Sequence, residues 1–556
     1  MSSDLLGLFD LVVVLLRAAI LCFQTIAVGG ITFLLVVARV PQLGQESWLR
    51  PAMRLVRWSA LALALAQVSF VISNTLILTT SAGLSIGEAL GANYVLAGVL
   101  AIAAGLVVFF WPGGSRDNAS PLFVIPAAAM IVSSVMTSHS VSRIEDRYIL
   151  TVFTTIHYLA TALWIGGLPY LIFVAKKATG LDVLARVSHR FSRLAQFSVA
   201  FLLAAGLGLS IWYVGSWNAI YGTAYGVMLC TKLIFFGCLL LLGASNYFLV
   251  RTIGEGPRDR DTKISLIRFA EVEIGIGLTV ILTAASLTSQ APGVDLTQDR
   301  VTLHEIAVRY APRMPRLSSP DLGQLPESPQ QLRRRAKAEG RKVPSAFVPG
   351  ADPLSVNTPA DIAWSEYNHN WAGIFVLVTG VLALLSRSKH FGWARMWPLI
   401  FLGLAVFLFF RSDPANWPLG PNGFWESFRF SDVLQHRVAV LLVIMFAIFQ
   451  WRVETNRIQS HFAALVFPAV CALGGVMLLT HTHPVGNLKE QLLIELSHTP
   501  LAIFAVIAGW SRWLELRLPE PIGTRKYLAW VWPVCFIMIG LILMGYHEAD
   551  FTRSIS

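Results

Sequence analysis

The stretch YILTVFTTIHYLATALWIGGLPYLIFVA, residues 148–175, carries no Asp, Glu, Lys or Arg and only one ionisable imidazole, His157. A helix needs about 20 apolar residues to cross the hydrocarbon core of a bilayer. The stretch is longer than that, so it reads as a membrane-spanning helix. The same pattern returns along the whole 556-residue chain, which is 55% hydrophobic and only 13% charged, with a mean hydropathy of +0.62. Soluble domains carry about 25% charged residues. This composition therefore excludes a disordered chain, a disulfide-stapled secreted module and a water-soluble enzyme of this length. Fourteen apolar runs qualify as spanning helices, near residues 9–38, 53–79, 92–111, 120–139, 148–175, 194–214, 225–250, 270–290, 370–387, 394–411, 432–451, 461–482, 490–513 and 528–547. The expected fold is an all-α polytopic membrane protein.

One segment interrupts the pattern. Residues 291–368 are rich in proline and contain the basic run Arg333, Arg334, Arg335 and Lys337. They read as an irregular extracytoplasmic linker or cap between eight helices and six. The expected units are an eight-helix domain at 1–291, the linker at 292–368 and a six-helix domain at 369–556. The net charge of +11 would suggest nucleic acid in a soluble protein. Here it follows from the basic loops that set orientation. With alternate short loops placed inside, starting after the first helix, twenty-four Lys and Arg face inward and seven outward. Both termini are then expected on the periplasmic side. MSSDLLGLFD at the start has no basic region, so the first run reads as a retained helix. The five cysteines, Cys22, Cys230, Cys238, Cys471 and Cys535, lie in apolar runs without a CxxC pair, which fits small buried hydrophobes.

In this topology nine of the twelve histidines lie toward the outer side, and their arrangement is paired. Met136-Thr-Ser-His139 closes the fourth run, and His157 follows in the fifth. Met477-Leu-Leu-Thr-His481-Thr-His483 closes the twelfth, and His498 follows in the thirteenth. Met544-Gly-Tyr-His547 closes the last run, while His369 and His436 open the ninth and eleventh. Spacings of three or four residues set each Met on its histidine's helix face. Thioether and imidazole together suit copper, because the thioether selects the cuprous ion and imidazole accepts both oxidation states. The candidate metal ligands are thus Met136, His139, His157, His369, His436, Met477, His481, His483, His498 and His547. Histidines in facing helices also suit bis-imidazole ligation of haem b, with His157, His436 and His498 as the candidates. Arg17, Lys232, Glu271 and Glu273 are expected to pair in the interior or line a polar path, although Glu271 and Glu273 lie where snorkelling to water also accounts for them. Asn246 reads as a helix–helix hydrogen bond.

Specific motifs carry a family resemblance. His157-Tyr-Leu-Ala-Thr-Ala-Leu-Trp164-Ile-Gly166-Gly167 resembles the hallmark of the bacterial copper-resistance D (CopD-type) membrane proteins. The resemblance continues through Arg190-Phe-Ser-Arg-Leu-Ala195, Tyr225-Gly226, Lys232, Asn246 and the Glu271/Glu273 helix, with His139 at the preceding helix end. It covers residues 120–291 and extends from residue 1. It implies an inner-membrane protein of copper handling that receives copper from a small periplasmic chaperone. Asn368-His369-Asn370-Trp371, Gln435-His436-Arg437, Thr480-His481-Thr482-His483-Pro484 and Ser497-His498-Thr499-Pro500 lie beyond that eight-helix pattern, in a fused C-terminal module. Within the marked helix, His157, Thr161 and Trp164 share one face, and Gly166 and Gly167 admit a close neighbour. No nucleotide-binding or phosphorylation motif is visible. The leading expectation is a copper transporter or copper-handling protein rather than an enzyme, working without nucleic acid; the alternatives are a haem b electron-transfer protein and an assembly factor docking a partner through residues 291–368.

Overall fold

The computed structural model describes residues 3–38, 47–81, 83–111, 120–178, 180–253, 259–288, 290–297, 300–321, 359–414, 416–420, 422–428, 431–480, 488–519 and 523–548. All regular structure among them is helical. The principal helices are α1 (Ser3–Thr32), α2 (Leu49–Ser81), α3 (Asn93–Phe110), α4 (Val124–Met136), α5 (Arg147–Trp164), α6 (Leu181–Val214), α7 (Ala224–Arg251), α8 (Asp259–Leu287), α9 (Pro359–Leu385), α10 (Ile400–Arg411), α11 (Ser431–Glu454), α12 (Val466–Thr480), α13 (Leu488–Arg517) and α14 (Gly523–Met544). Each apolar run of the sequence falls on one of them. Twelve helical spans among the described residues are long and apolar enough to cross a membrane; Pro121–Met136 is apolar but shorter. The protein is an all-α, multi-pass membrane protein.

The opening stretch differs from the single helix its composition suggests. It breaks after Trp164 into a 3-10 turn, Ile165–Gly167, and resumes as Leu168–Lys177. Pro169 explains the break: it has no N–H for the carbonyl of Ile165, and its ring crowds that carbonyl. The chain forms two units, Met1–Gln298 with Arg517–Pro521, and Asp299–Leu516 with Ile522–Ser556.

In the first unit α1 packs against α2, α4, α5, α8 and the 3-10 turn. The crossing of α1 over that turn is backbone to backbone. A Cβ at Gly166 would overlap the Thr25 carbonyl, and one at Gly29 would overlap the Ala162 carbonyl and Gly166 itself. Tyr170 seals the crossing by donating its hydroxyl to the Ile26 carbonyl at 2.9 Å.

In the second unit α9 lies along α14, again through glycines: a Cβ at Gly380 would come within 2.7 Å of the Ile537 nitrogen. Its inner core is aromatic, with Trp397, Phe467, Trp532 and Phe536 buried together. Residues 300–321 of the interrupting segment are fastened to this unit, whereas 291–297 belong to the first. Leu303–Arg309 is a short helix started by a reciprocal Thr302–Glu305 cap. Tyr310 donates to the Leu496 carbonyl at 2.6 Å, and Arg316 to Glu366 at 3.0 Å. Arg333, Arg334, Arg335 and Lys337 lie outside the described residues.

The crossing sets a test. Gly166→Ala should cost about 1–3 kcal/mol or more through forced backbone displacement. Gly237→Ala, at a helical glycine with nothing within 4 Å of its would-be Cβ, should leave thermal unfolding in detergent unchanged or slightly raised. Equal melting temperatures for the two variants would contradict the contact.

Candidate functional site

His157 stands midway along α5. Its Nδ1 is buried without a hydrogen-bond partner, and the ring lies against α6, where a Cβ on Gly206 would meet Cε1 at 3.8 Å and Nδ1 at 3.9 Å. Lys232 of α7 acts on it through space. A buried imidazole nitrogen without a partner is costly; it is also what a nitrogen poised for a metal ion looks like. Thr161, one turn on, donates its hydroxyl to the His157 carbonyl at 2.8 Å, so that oxygen serves its own helix.

Trp164, two turns from His157 on the same face, does more than pack. Its Nε1 donates to Glu273 Oε1 at 2.6 Å, and Asn246 Nδ2 donates to Glu273 Oε2 at 2.7 Å. Glu273 is 1% exposed, which corrects the reading of both carboxylates as snorkelling groups. Glu271 takes the cations instead, with Arg268 at 2.7 Å and Lys176 at 3.9 Å. Two residues apart on a helix, the pair points to different sides, a signal already present in the spacing. Arg17 pairs with neither; it donates to the Thr288 carbonyl and hydroxyl, both at 3.1 Å. It borders a cavity of about 30 Å³ lined also by Gln67, Ser133, Ser134 and Tyr158. Asn246 is the helix–helix link its position suggested.

Met136 and His139 do not share one helix. α4 ends at Met136, Ser138 is extended, and His139 opens the separate short helix His139–Ser142. The same holds for Met544, the last residue of α14, and His547 beyond it. The shared-face argument fails at both places because the helix stops between the two residues. His139 Nε2 is buried without a partner. Burial holds this imidazole below its ordinary range; Arg17 and Arg143 add to the effect, and the Thr288 carbonyl and Asp295 oppose it. Arg143 is itself paired with Asp295 at 2.5 Å.

In the second unit the structure brings His369 of α9 and His498 of α13 together, with ring centroids 5.7 Å apart and planes at 85°. Each Nδ1 lies 2.8 Å from the carbonyl four residues earlier, Ser365 for His369 and Ile494 for His498. A carbonyl at Nδ1 fixes the tautomer that carries its lone pair on Nε2, the arrangement of a metal-ligating imidazole. Tyr546 stacks on His369 at 4.1 Å, and its hydroxyl donates to Glu548 at 2.8 Å, where Ser365 also donates at 2.6 Å. Sequence reasoning missed Tyr546, Glu548 and Ser365; only the neighbouring His547 marked the place. His547 is turned away, its Nε2 2.8 Å from the Val308 carbonyl. His436 is engaged elsewhere, 2.8 Å from Asp413. Burial works against the Asp413 charge, but His436, Ser412 and Arg437 outweigh it and hold the carboxyl below its usual range. Of the haem candidates, then, His157 belongs to the first unit, His436 bonds a carboxylate, and His498 packs on His369. Met477 is exposed on α12, and His481 and His483 lie outside the described residues. Among the described residues no three His, Cys, Asp or Glu gather in a metal-binding group.

Comparison with known proteins bears on this geometry. Residues 185–287, which comprise nearly all of α6 with α7 and α8, match the family described as "Copper resistance protein D". This region is similar to the CopD-type membrane proteins. It is also 28% identical over 163 residues to the "Copper transport protein CutJ" of Bacillus subtilis (strain 168), a match covering 29% of this chain and 28% of CutJ. The chain thus spans little more than a quarter of that relative. No solved structure matches at a significant level. The matched region supplies Gly206, Lys232, Asn246 and Glu273, the neighbours of His157 and Trp164.

The surroundings of His139 can be read by histidine NMR in detergent, assigned with His139→Gln. Its imidazole should titrate below the ordinary histidine value of about 6.5. Asp295→Asn should move the midpoint further down by removing a negative charge, and Arg143→Ala should move it up. A midpoint at or above the ordinary value, or shifts of the opposite sign, would contradict the buried placement.

Proposed function

We propose that the protein carries copper across the bacterial inner membrane, taking the ion on the extracytoplasmic side through imidazole and thioether ligands. The observation that carries this reading is the unpartnered, buried Nδ1 of His157, set among helices of the CopD-type region. A bilayer offers such a nitrogen no water, so a soft cation in transit is its natural partner. The Lys232 ammonium nearby disfavours a second resident cation and suits brief occupancy over storage. His139, which opens the short helix before α5, is the entry ligand in this account.

The His369–His498 pair is proposed as a second copper contact, with Met477, His481 and His483 as further ligands on the same side. Two imidazoles with Nδ1 tied back are suited to the low coordination number that a cuprous ion accepts. In this reading both termini lie in the periplasm, and a periplasmic copper chaperone delivers the ion. The similarity to the copper transport protein CutJ supports copper as the cargo.

The experiment is copper loading of purified full-length protein under reducing conditions, with metal analysis after desalting. His157→Ala and His139→Ala should each weaken retention about tenfold or more, since the bilayer cannot replace a lost ligand. His369→Ala with His498→Ala should remove a separate fraction of the metal and leave the His157-dependent fraction in place. Normal retention in all of these variants, each folded by its melting curve, would overturn the proposal.

A further inference from the structure

Among the described residues of the first unit, Glu273 is the one buried carboxylate, and the copper reading leaves it unused. It occupies the middle of the helical packing, 1% exposed, and has no cationic partner among the described residues. Both oxygens are engaged, each by a neutral N–H: Trp164 Nε1 at 2.6 Å and Asn246 Nδ2 at 2.7 Å. The elements packed on α8 are α7, α1, the 3-10 turn and Leu168–Lys177, and their ionisable groups are directed elsewhere. Lys176 goes to Glu271, Tyr170 to the Ile26 carbonyl and Arg17 to Thr288, some 22 Å along α8 at 1.5 Å per residue. Lys232 is 14 residues from Asn246 on α7, about 21 Å by the same rise, and faces His157.

A carboxylate in this position is under two opposed influences. Burial works against its charge, while two donated hydrogen bonds work for it. The donors are neutral, so nothing locks the ionised form as a salt bridge would. A further detail points the same way: Asn246 Oδ1 is buried with no hydrogen-bond partner, on a side chain that is 8% exposed. A half-turn of the amide exchanges its N–H and its oxygen. In the first orientation the amide donates to a carboxylate; in the second it accepts from a carboxylic acid. Asn246 can therefore serve either charge state of Glu273 without moving its helix.

We propose that Glu273 is an internal proton-binding site of this unit, taking a proton from water and returning it there, with Asn246 as the amide that satisfies both forms. On protonation an O–H bond forms on the Asn246 side of the carboxyl. The amide turns so that Oδ1 accepts from that O–H, and Trp164 keeps its bond to the other oxygen. On release the proton returns to water and the amide turns back. The proposal does not depend on copper. It gives the helix pair α7–α8 a charge that changes by one unit, on the face of α5 that also carries His157.

The test is infrared difference spectroscopy of the full chain in lipid, free of copper and titrated with pH, which reads the carboxylic C=O stretch directly. A protonated-carboxyl band should grow as pH falls and be absent from the Glu273→Gln protein. Trp164→Phe removes a donor to the anion and should move the midpoint of that band upward by about one pH unit. Asn246→Leu removes a partner of both forms; the charge-assisted bond to the anion is the stronger, so it should move the midpoint upward by less. The direction distinguishes a proton site from a merely structural carboxylate, and the two variants retain Glu273 if Glu273→Gln does not fold. A band unchanged in Glu273→Gln, or midpoints unmoved or lowered in the donor variants, would overturn the proposal. Copper binding could fail or succeed without altering either outcome.

Discussion

The crossing of α1 over the Ile165–Gly167 turn is the contact on which the first unit depends. Gly29 and Gly166 meet with no side chain between them, and without water in the surroundings such close packing is the main attraction available between helices. The turn exists because Pro169 cannot continue the helix, and the turn in turn presents Gly166 to α1. One end of α5 is thereby fixed, which sets the depth of Trp164 and, two turns away, of His157. The candidate side chains are placed by a small-residue contact that has no chemistry of its own.

Much of this was legible in the sequence. Helices with a single periodic requirement, to be apolar for 20 residues, announce themselves, and the glycine pair after Trp164 was readable as a site of close approach. The partners of polar side chains were less legible. Glu271 and Glu273 look alike in sequence, yet one sits among Arg268 and Lys176 and the other is enclosed by Trp164 and Asn246. Which cation or donor meets each carboxylate depends on helix rotation, and α8 has too weak an amphipathic pattern to set it. The Met–His spacing misled for another reason: a periodicity argument assumes an unbroken helix, and α4 and α14 stop between the two residues. The meeting of His369 and His498, 129 positions apart in the chain, could not be read from local spacing at all.

The two units use histidine in different ways. In the first, His157 and His139 each leave a buried nitrogen without a partner. In the second, His369 and His498 are tied back through Nδ1 and packed edge to face, with Tyr546 stacked on His369. The first arrangement suits an ion that passes, the second an ion that is held. Near the second pair a cavity of about 290 Å³ is lined by Arg316, Glu366, Asn370, Tyr546 and His547, on the face where the Leu303–Arg309 helix is fastened. The segment after α8 thus contributes to the surroundings of the second site.

Copper is proposed to bind to imidazoles inside this helical bundle. Copper K-edge X-ray absorption of the cuprous-loaded, full-length protein tests it most directly. The expected spectrum is that of a low-coordinate cuprous ion with the multiple-scattering pattern of imidazole, part of that signal being lost on His157→Ala. A spectrum with no imidazole scattering, or one unchanged by His157→Ala, would contradict it.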